Sequence, residues 1–491
     1  MEKTINEINE KIKEGNVSVA TAKEIKEIIA EIGVKKAVKE VDVVTTGTFG
    51  AMCSSGVFLN FGHSDPPIRM RRVWLNDVEA YKGIAAVDAY LGVTQLSETR
   101  ENYGGGHVIE ELVKGKEVEL RAIGYGTDCY PRKEIETEIS LEDINQAIMV
   151  NPRNAYQRYR AATNSSDRVL RTYMGTLLPN YGNITFAGCG EISPLNNDPL
   201  YRTIGVGTRI FLCGAKGYVI GEGTQHSPPF GTLMVSGNLK EMKPDFMKAC
   251  YFPGYGASLF VGIGIPIPIL DEEIASFTAV RNSEIETEII DFGVARRNRP
   301  VVKKVSYAEL LSGKVEIKGQ EVRVSSLSSF YMAEKIMKEL KKMIEKGDFF
   351  LTEPVDSIPR SRVLKPMRQK VMFVRKVMRG AIVLKEDVSL EEAAKVMIEK
   401  SINHIPIVDD EGKLVGIITS WDIAKAVAIG YKGKINGIMT KKVVTANPDE
   451  PIELAASKME KHDISALPVV DVNLKVLGIV TSEDLSKLLA R

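Results

Sequence analysis

Two thiols stand in loops whose composition would expose them to a substrate. The stretch Thr45–Pro67 (TTGTFGAMCSSGVFLNFGHSDPP) surrounds Cys53 with small residues, so the backbone there can approach a ligand closely and offer N–H groups to an anion. The β-branched run before it, Val41–Thr46, reads as a strand entering a tight loop at Gly47, a common seat for a nucleophile. Cys129 lies in a Gly/Pro turn, Gly124–Lys133 (GYGTDCYPRK), beside Arg132 and Lys133. Neighbouring cations favour the reactive thiolate, and Asp128 opposes them. Cys129 and Cys53 are the expected catalytic thiols, with His63 as a candidate base. Arg69 and Arg72 follow within ten residues of His63 and are expected to hold a substrate carboxylate.

Free cysteine is among the most buried residue types. Cys213 in its apolar run and Cys250 are expected in the core, while Cys189 suits either a turn or a site. His107 (GGGH) and His226 (GEGTQHSPP) follow glycine-rich loops and could be bases or satisfied side chains. GGGH and GEGT resemble phosphate-cradling loops but lack a lysine at fixed spacing. Five cysteines without a CxxC pair fit neither a secreted disulfide framework nor a metal knuckle, so no metal is expected. With 65 Lys+Arg against 64 Asp+Glu, no global field recruits nucleic acid or an anionic membrane. The polar start, Met1–Asn16, reads as an amphipathic helix without a signal-peptide core, and no apolar run spans a bilayer. A cytoplasmic protein is expected.

The elements that must position these residues mix strand and helix. Tyr81–Leu91 and Leu141–Met149 carry helical spacing, Ile204–Ile220 reads as two buried strands, and Ser325–Lys346 as a long amphipathic helix. Beyond a Pro- and Arg-containing connection the chain repeats itself. Glu399–Val427 aligns with Lys461–Leu489 at an offset of 62, pairing Pro406 with Pro468, Thr419 with Thr481 and Asp422 with Asp484. A phase-locked repeat is seldom accidental. It resembles the CBS domain pair, each unit β-α-β-β-α, through the V-M and I-M starts, the x-P-V/I-V-D strand and G-I-[IV]-T-x-x-D. That resemblance implies an adenosyl ligand (S-adenosylmethionine, methylthioadenosine or AMP) at Thr419, Asp422, Thr481 and Asp484, with His404 beside the first pair. The bland alternative is that Thr and Asp only cap the last helices. Neither repeat shows a basic run near its pair, which favours a ligand with little or no phosphate.

Residues 1 to about 355 resemble the archaeal and bacterial homocysteine-biosynthesis family, the L-aspartate-semialdehyde sulfurtransferases, through TTGTFGAMCSSGVFLNFGHSDPPIRM, YGTDCYPRKE and GTQHSPPFGTL. The resemblance implies that Cys129 and Cys53 are the functional thiols, one carrying a persulfide, and that aspartate semialdehyde becomes homocysteine. It also implies a separate ferredoxin-like Fe–S partner and no cofactor in the catalytic domain. Cys129 is the expected carrier; Cys53 would then attack its persulfide linkage, leaving a disulfide between them. The expected organisation is a mixed α/β (α+β) catalytic domain over 1–355, a linker over 356–371, and repeats over 372–433 and 434–491. A homodimer is the default. The competing classes are a nucleotide-regulated oxidoreductase or isomerase with a catalytic loop cysteine, and a non-catalytic adenosyl sensor.

Overall fold

A computed structural model describes residues 3–155, 157–227, 230–294, 298–362, 364–365, 367 and 371–489. The chain forms two compact units, Met1–Leu364 and Lys365–Arg491, and mixes helix and strand as expected.

The first unit is built on a nine-stranded sheet running Met247–Phe252, Gly256–Gly264, Arg209–Leu212, Ala215–Glu222, Leu233–Asn238, Gln146–Asn154, Gly56–Asn60 and Asp88–Gly92, with Thr48–Ala51 on the strand Gly256–Gly264. Its pairings are antiparallel. The amphipathic helix Phe330–Glu345 lays Ala333, Ile336, Met337, Leu340 and Ile344 onto the core at three- and four-residue spacing. Gly47 makes that approach close: a Cβ there would come 2.2 Å from Ala333 O. A six-stranded mixed sheet carries Glu286–Asp291 and Val301–Ser306 at one edge. A four-stranded sheet contains Met70–Leu75, Val118–Gly124 and Glu134–Ile139.

The N-terminal helix (Ile5–Glu14) and the long helix follow the sequence expectation; 204–220 does form two paired strands, but the second, Ala215–Glu222, exposes Lys216, Tyr218 and Ile220 on one face instead of being buried throughout. Tyr81–Leu91 and Leu141–Met149 do not form the expected helices. They contribute to the strands Asp88–Gly92 and Gln146–Asn154. Ala89 and Leu91, and Ala147 and Met149, are buried alternately, but the outward positions Tyr90 and Ile148 are apolar too and mask the period of two. The expected linker also begins too early. Asp356–Ser357 pairs with Gly205–Val206, Ile358 is buried, and Arg362 binds Glu222, so 356–362 belong to the first unit. Residues 363, 366 and 368–370 of that linker lie outside the described residues.

In the second unit the first repeat is β-α-β-β-α as expected: Leu384–Lys385, Leu390–Lys400, His404–Val408, Leu414–Thr419 and Ser420–Ala428. The starts are exchanged. Val374 and Val377-Met378 pack with Leu467, Val469 and Val480 of the second repeat, whereas Ile435 and Ile438-Met439 pack with Ile405, Ile407 and Ile418 of the first. Each spatial core therefore takes its opening segment from the other stretch of sequence.

One buried carboxylate fastens the N-terminal helix. Asp42 accepts from Lys3 Nζ at 2.8 Å, Lys11 Nζ at 2.7 Å and the Ser18 N–H at 3.0 Å. Burial alone would raise its pKa, but the two ammoniums and the amide together hold it below the usual carboxylate range. A depressed carboxylate stabilises the fold above its unfolded pKa near 4, and that contribution is lost as pH falls through the folded value. Asp42→Asn should lower stability at pH 7 by roughly 1–3 kcal/mol. Melting curves should also show a flatter loss between neutral pH and pH 3 than the wild type gives.

Candidate functional site

Cys53 sits on the turn between Thr48–Ala51 and Gly56–Asn60, held where Met52 N–H donates to Leu259 O at 2.8 Å. Continuing the register in which Ala51 faces Phe260 sets Cys53 beside Ser258, and Cys53 Sγ lies 3.2 Å from Ser258 Oγ. On the opposite edge of the same strand Ser258 faces Cys250. One hydroxyl thus stands between two sulfurs. Cys250 is half-buried rather than in the core as expected. Burial, then the neighbouring Cys53, pushes its thiol up to about 12, so it is a proton donor rather than a nucleophile. Tyr255 completes the group. Burial, followed by the neighbouring Cys53 sulfur, raises its hydroxyl to about 12. It therefore stays protonated and can donate.

Cys129 is exposed on the loop between Val118–Gly124 and Glu134–Ile139. His63 stacks on Tyr130 at 5.4 Å between ring centroids, and Arg69 lies over Tyr125 at 5.1 Å. His63 and Arg69 thus belong with Cys129, at the far end of the strand Gly56–Asn60 from Cys53. That five-residue strand spans roughly 13 Å at about 3.3 Å per residue. A disulfide needs Cα atoms within about 7 Å, so the expected attack of Cys53 on a Cys129 persulfide calls for the 124–133 loop to approach the Cys53 turn.

Arg72 gives Nε and Nη2 to Glu79 at 2.7 and 2.8 Å and stacks over Trp74, so its guanidinium is already engaged. Arg132 donates from Nε to Pro66 O at 3.0 Å and also binds Asp65 O; it braces the 65–66 backbone rather than Cys129. Cys189 and Cys213 are buried, and burial raises their thiols to about 11 and about 12. His226 is buried, with Nδ1 against Thr232 and Nε2 2.8 Å from Pro359 O. His107 Nδ1 accepts from Gly104 N–H at 3.2 Å, and burial lowers its pKa. The GGGH glycines serve packing, not phosphate. Cβ atoms at Gly104, Gly105 and Gly106 would lie 2.0–2.6 Å from neighbouring carbonyl oxygens, and Gly105 and Gly106 N–H are spent on Gln95 and Val93. In GEGT, Gly223 and Thr224 donate to Thr232 and Pro152. Among the described residues no group of three His, Cys, Asp or Glu could hold a metal.

In the second unit, both Thr-x-x-Asp pairs form capping boxes. Thr419 Oγ1 donates to Asp422 Oδ2 at 2.6 Å, and Thr481 Oγ1 to Asp484 Oδ2 at 2.7 Å. The two differ in one respect. Arg379 Nε lies 2.6 Å from Asp484 Oδ1, whereas no cation pairs with Asp422 among the described residues. No basic run lies beside either pair in sequence, yet a single cation, Arg379, reaches the second from the exchanged segment. His404 bonds Ser465 Oγ at 2.9 Å across the repeats, and burial lowers its pKa.

A model described as homocysteine biosynthesis enzyme, sulfur-incorporation, matches residues 17–351. The chain belongs to that family. CBS domain models match 374–429 and 435–491. The L-aspartate semialdehyde sulfurtransferase of Methanosarcina acetivorans is 56% identical over 497 residues, covering 100% of this chain and 99% of its own length. That of Methanocaldococcus jannaschii is 56% identical over 503 residues, covering 99% and 98%. A solved CBS pair in complex with 5′-methylthioadenosine and S-adenosyl-L-methionine is 51% identical over 24% of this chain and 97% of that one, with a TM-score of 0.24. Membership of the sulfur-incorporation family supports the sulfurtransferase reading over the oxidoreductase, isomerase and sensor alternatives.

Exposure orders thiol reactivity. Brief iodoacetamide treatment of the native protein should label Cys129 first and Cys53 more slowly, leaving Cys189, Cys213 and Cys250 unmodified by peptide mass mapping. Early labelling of Cys213 or Cys250 would contradict the packing.

Proposed function

We propose that this protein converts L-aspartate semialdehyde to L-homocysteine by sulfur transfer, with Cys129 taking up the sulfur and Cys53 delivering it. The end-to-end identity with two relatives of that name carries the reaction. An exposed thiol on a loop suits uptake, and a half-buried thiol among hydroxyl donors suits delivery.

The outer sulfur of a Cys129 persulfide passes to the Cys53 thiolate, regenerating the Cys129 thiolate. Given the separation of the two thiols, this step requires movement of the 124–133 loop or a second copy of the chain. The Cys53 persulfide then adds through its terminal sulfur to the aldehyde carbon, and Tyr255 protonates the oxygen as it becomes a hydroxyl. Two electrons and two protons cleave the S–S bond to Cys53 thiol and a hemithioacetal. Loss of water, with two further electrons and protons, gives homocysteine. A separate ferredoxin-like Fe–S protein would supply the four electrons. A reducing, cytoplasmic setting keeps the five free thiols available, and a homodimer remains the default assembly.

The CBS pair is proposed to sense an adenosyl compound such as S-adenosylmethionine, methylthioadenosine or AMP. Asp422 can accept ribose hydroxyls through its open oxygen beside Thr419 and His404, while Asp484 is already engaged by Arg379.

With a sulfane donor, Cys53→Ala should still gain about 32 Da on Cys129 yet form no homocysteine, whereas Cys129→Ala should lose both. Undiminished homocysteine formation in the two variants would end the proposal. For the sensor, Asp422→Asn should weaken adenosyl binding at least about tenfold by calorimetry, through loss of charge-assisted hydrogen bonds, and Asp484→Asn should have a smaller effect. Equal losses would refute the difference between the clefts.

A further inference from the structure

A cavity of about 570 Å³ lies where the large sheet meets the six-stranded sheet. Its lining includes Arg153, Arg158, Arg160, Arg299 and Lys304 against two carboxylates, Glu286 and Glu288. Arg160 is paired with Glu288 at 3.0 Å, which leaves the remaining wall strongly cationic. The cavity adjoins the Cys53 turn along two independent routes. The first is strand register. Gln146–Asn154 last pairs with Gly56–Asn60 where Val150 faces Gly56, then continues toward the Cys53 turn and carries Arg153 at that end. The second is a run of rings. Tyr255, three residues before the Ser258 that meets Cys53, lies 6.0 Å from Tyr173, and Tyr173 lies 5.8 Å from Phe292; Tyr173 and Phe292 both line the cavity.

We propose that this cavity seats the amino-acid head group of the aldehyde substrate, with Arg153 binding its carboxylate. The inference rests on the sulfurtransferase reading and deepens it. Arg153 is fitted for the task. Its Nε donates to Thr224 Oγ1 at 3.1 Å, which fixes the plane of the guanidinium, and no carboxylate pairs with it among the described residues. A guanidinium so held presents its Nη donors as a fork matched to a carboxylate. Glu286 supplies an opposite charge in the same cavity for the substrate ammonium. The volume is generous for a four-carbon amino acid, so charge rather than shape must select the ligand. Arg69 and Arg72, the arginines favoured by sequence proximity to His63, do not share this cavity.

The test uses the full chain with a sulfane donor and a chemical reductant. Arg153→Gln should raise KM for L-aspartate semialdehyde about 10- to 100-fold, as a charge-assisted bidentate contact is lost, with kcat changed only a few-fold. Arg153→Lys should recover part of that loss, and persulfide loading of Cys129 should match the wild type in both. Binding of L-homoserine, an unreactive alcohol with the same head group, should be measurable by calorimetry for the wild type and weaken in parallel. Should Arg153→Gln fail to fold, the lysine variant and homoserine binding still decide the matter. A wild-type KM and undiminished homoserine binding in the folded variants would overturn the assignment while leaving the sulfurtransferase reading intact. Absence of homocysteine from the wild type would instead refute that reading, and the homoserine measurement would report on the cavity separately.

Discussion

The arrangement around Cys53 depends on the strand Gly256–Gly264, whose two edges hold Cys53 and Cys250 on either side of Ser258. One edge pairs with Thr48–Ala51 and the other with Met247–Phe252, so Cys53 and Cys250 meet across Ser258. The strand is almost wholly buried, and the register is rigid because a slip of one residue would turn every side chain to the opposite face. Its backbone is clamped from a third side: a Cβ at Gly106 would come 2.6 Å from Ser258 O, so the helix Gly105–Val113 can sit this close only with glycine there. The hydroxyl that meets Cys53 therefore cannot drift without disturbing a helix, two strand pairs and the core beneath them. That is the preorganisation on which transition-state hydrogen bonding relies.

How much of this was legible in the sequence follows from what makes a residue conspicuous. Cys53 and Cys129 stood out because glycine, serine and proline around a thiol are unusual in a core, and both are at least partly open to solvent. Cys250 did not. It lies in a strand of ordinary composition, and its importance comes from a neighbour on the adjacent strand, a relation that periodicity cannot report. Arg153 was hidden for a similar reason. It follows Cys53 by a hundred residues and approaches it only because two antiparallel strands run side by side. Arg72 shows the converse: closeness in sequence to His63 suggested a site, while the cross-strand partner Glu79 had already taken its donors. Glycine signals were ambiguous for a physical reason too. A glycine that admits a phosphate and a glycine that admits a neighbouring carbonyl have the same sequence, and GGGH is the second kind.

The repeat in the second unit was the most legible feature, and the structure refines its meaning. Sequence symmetry divides the pair at the start of each motif, whereas the two hydrophobic cores exchange those starts. The exchange ties the repeats together, since neither core closes without a segment from beyond its own repeat. It also breaks the symmetry of the polar ends. Arg379 rides on the exchanged segment, donates its N–H to Ile479 O and brings its guanidinium to Asp484. The corresponding segment places Thr440 beside Ile417 of the first repeat, and threonine offers no such charge. Two nearly identical Thr-x-x-Asp motifs thus acquire different electrostatics from residues outside them.

The separation of Cys129 from Cys53 divides the chemistry of sulfur in a way that suits its hazards. A persulfide is reactive toward any thiol, and a loop open to solvent is where a donor can reach it, but such a loop holds few fixed dipoles to stabilise an oxyanion. The Cys53 turn differs: the thiol is half-buried beside the buried Ser258 hydroxyl, with a cationic cavity alongside. Uptake favours exposure, while carbon–sulfur bond formation favours exclusion of water and prearranged donors. One position cannot serve both demands well. In the proposed route the two thiols sit in separate loops, so each environment can be built independently, and the cost is a transfer step that depends on motion or on a second molecule.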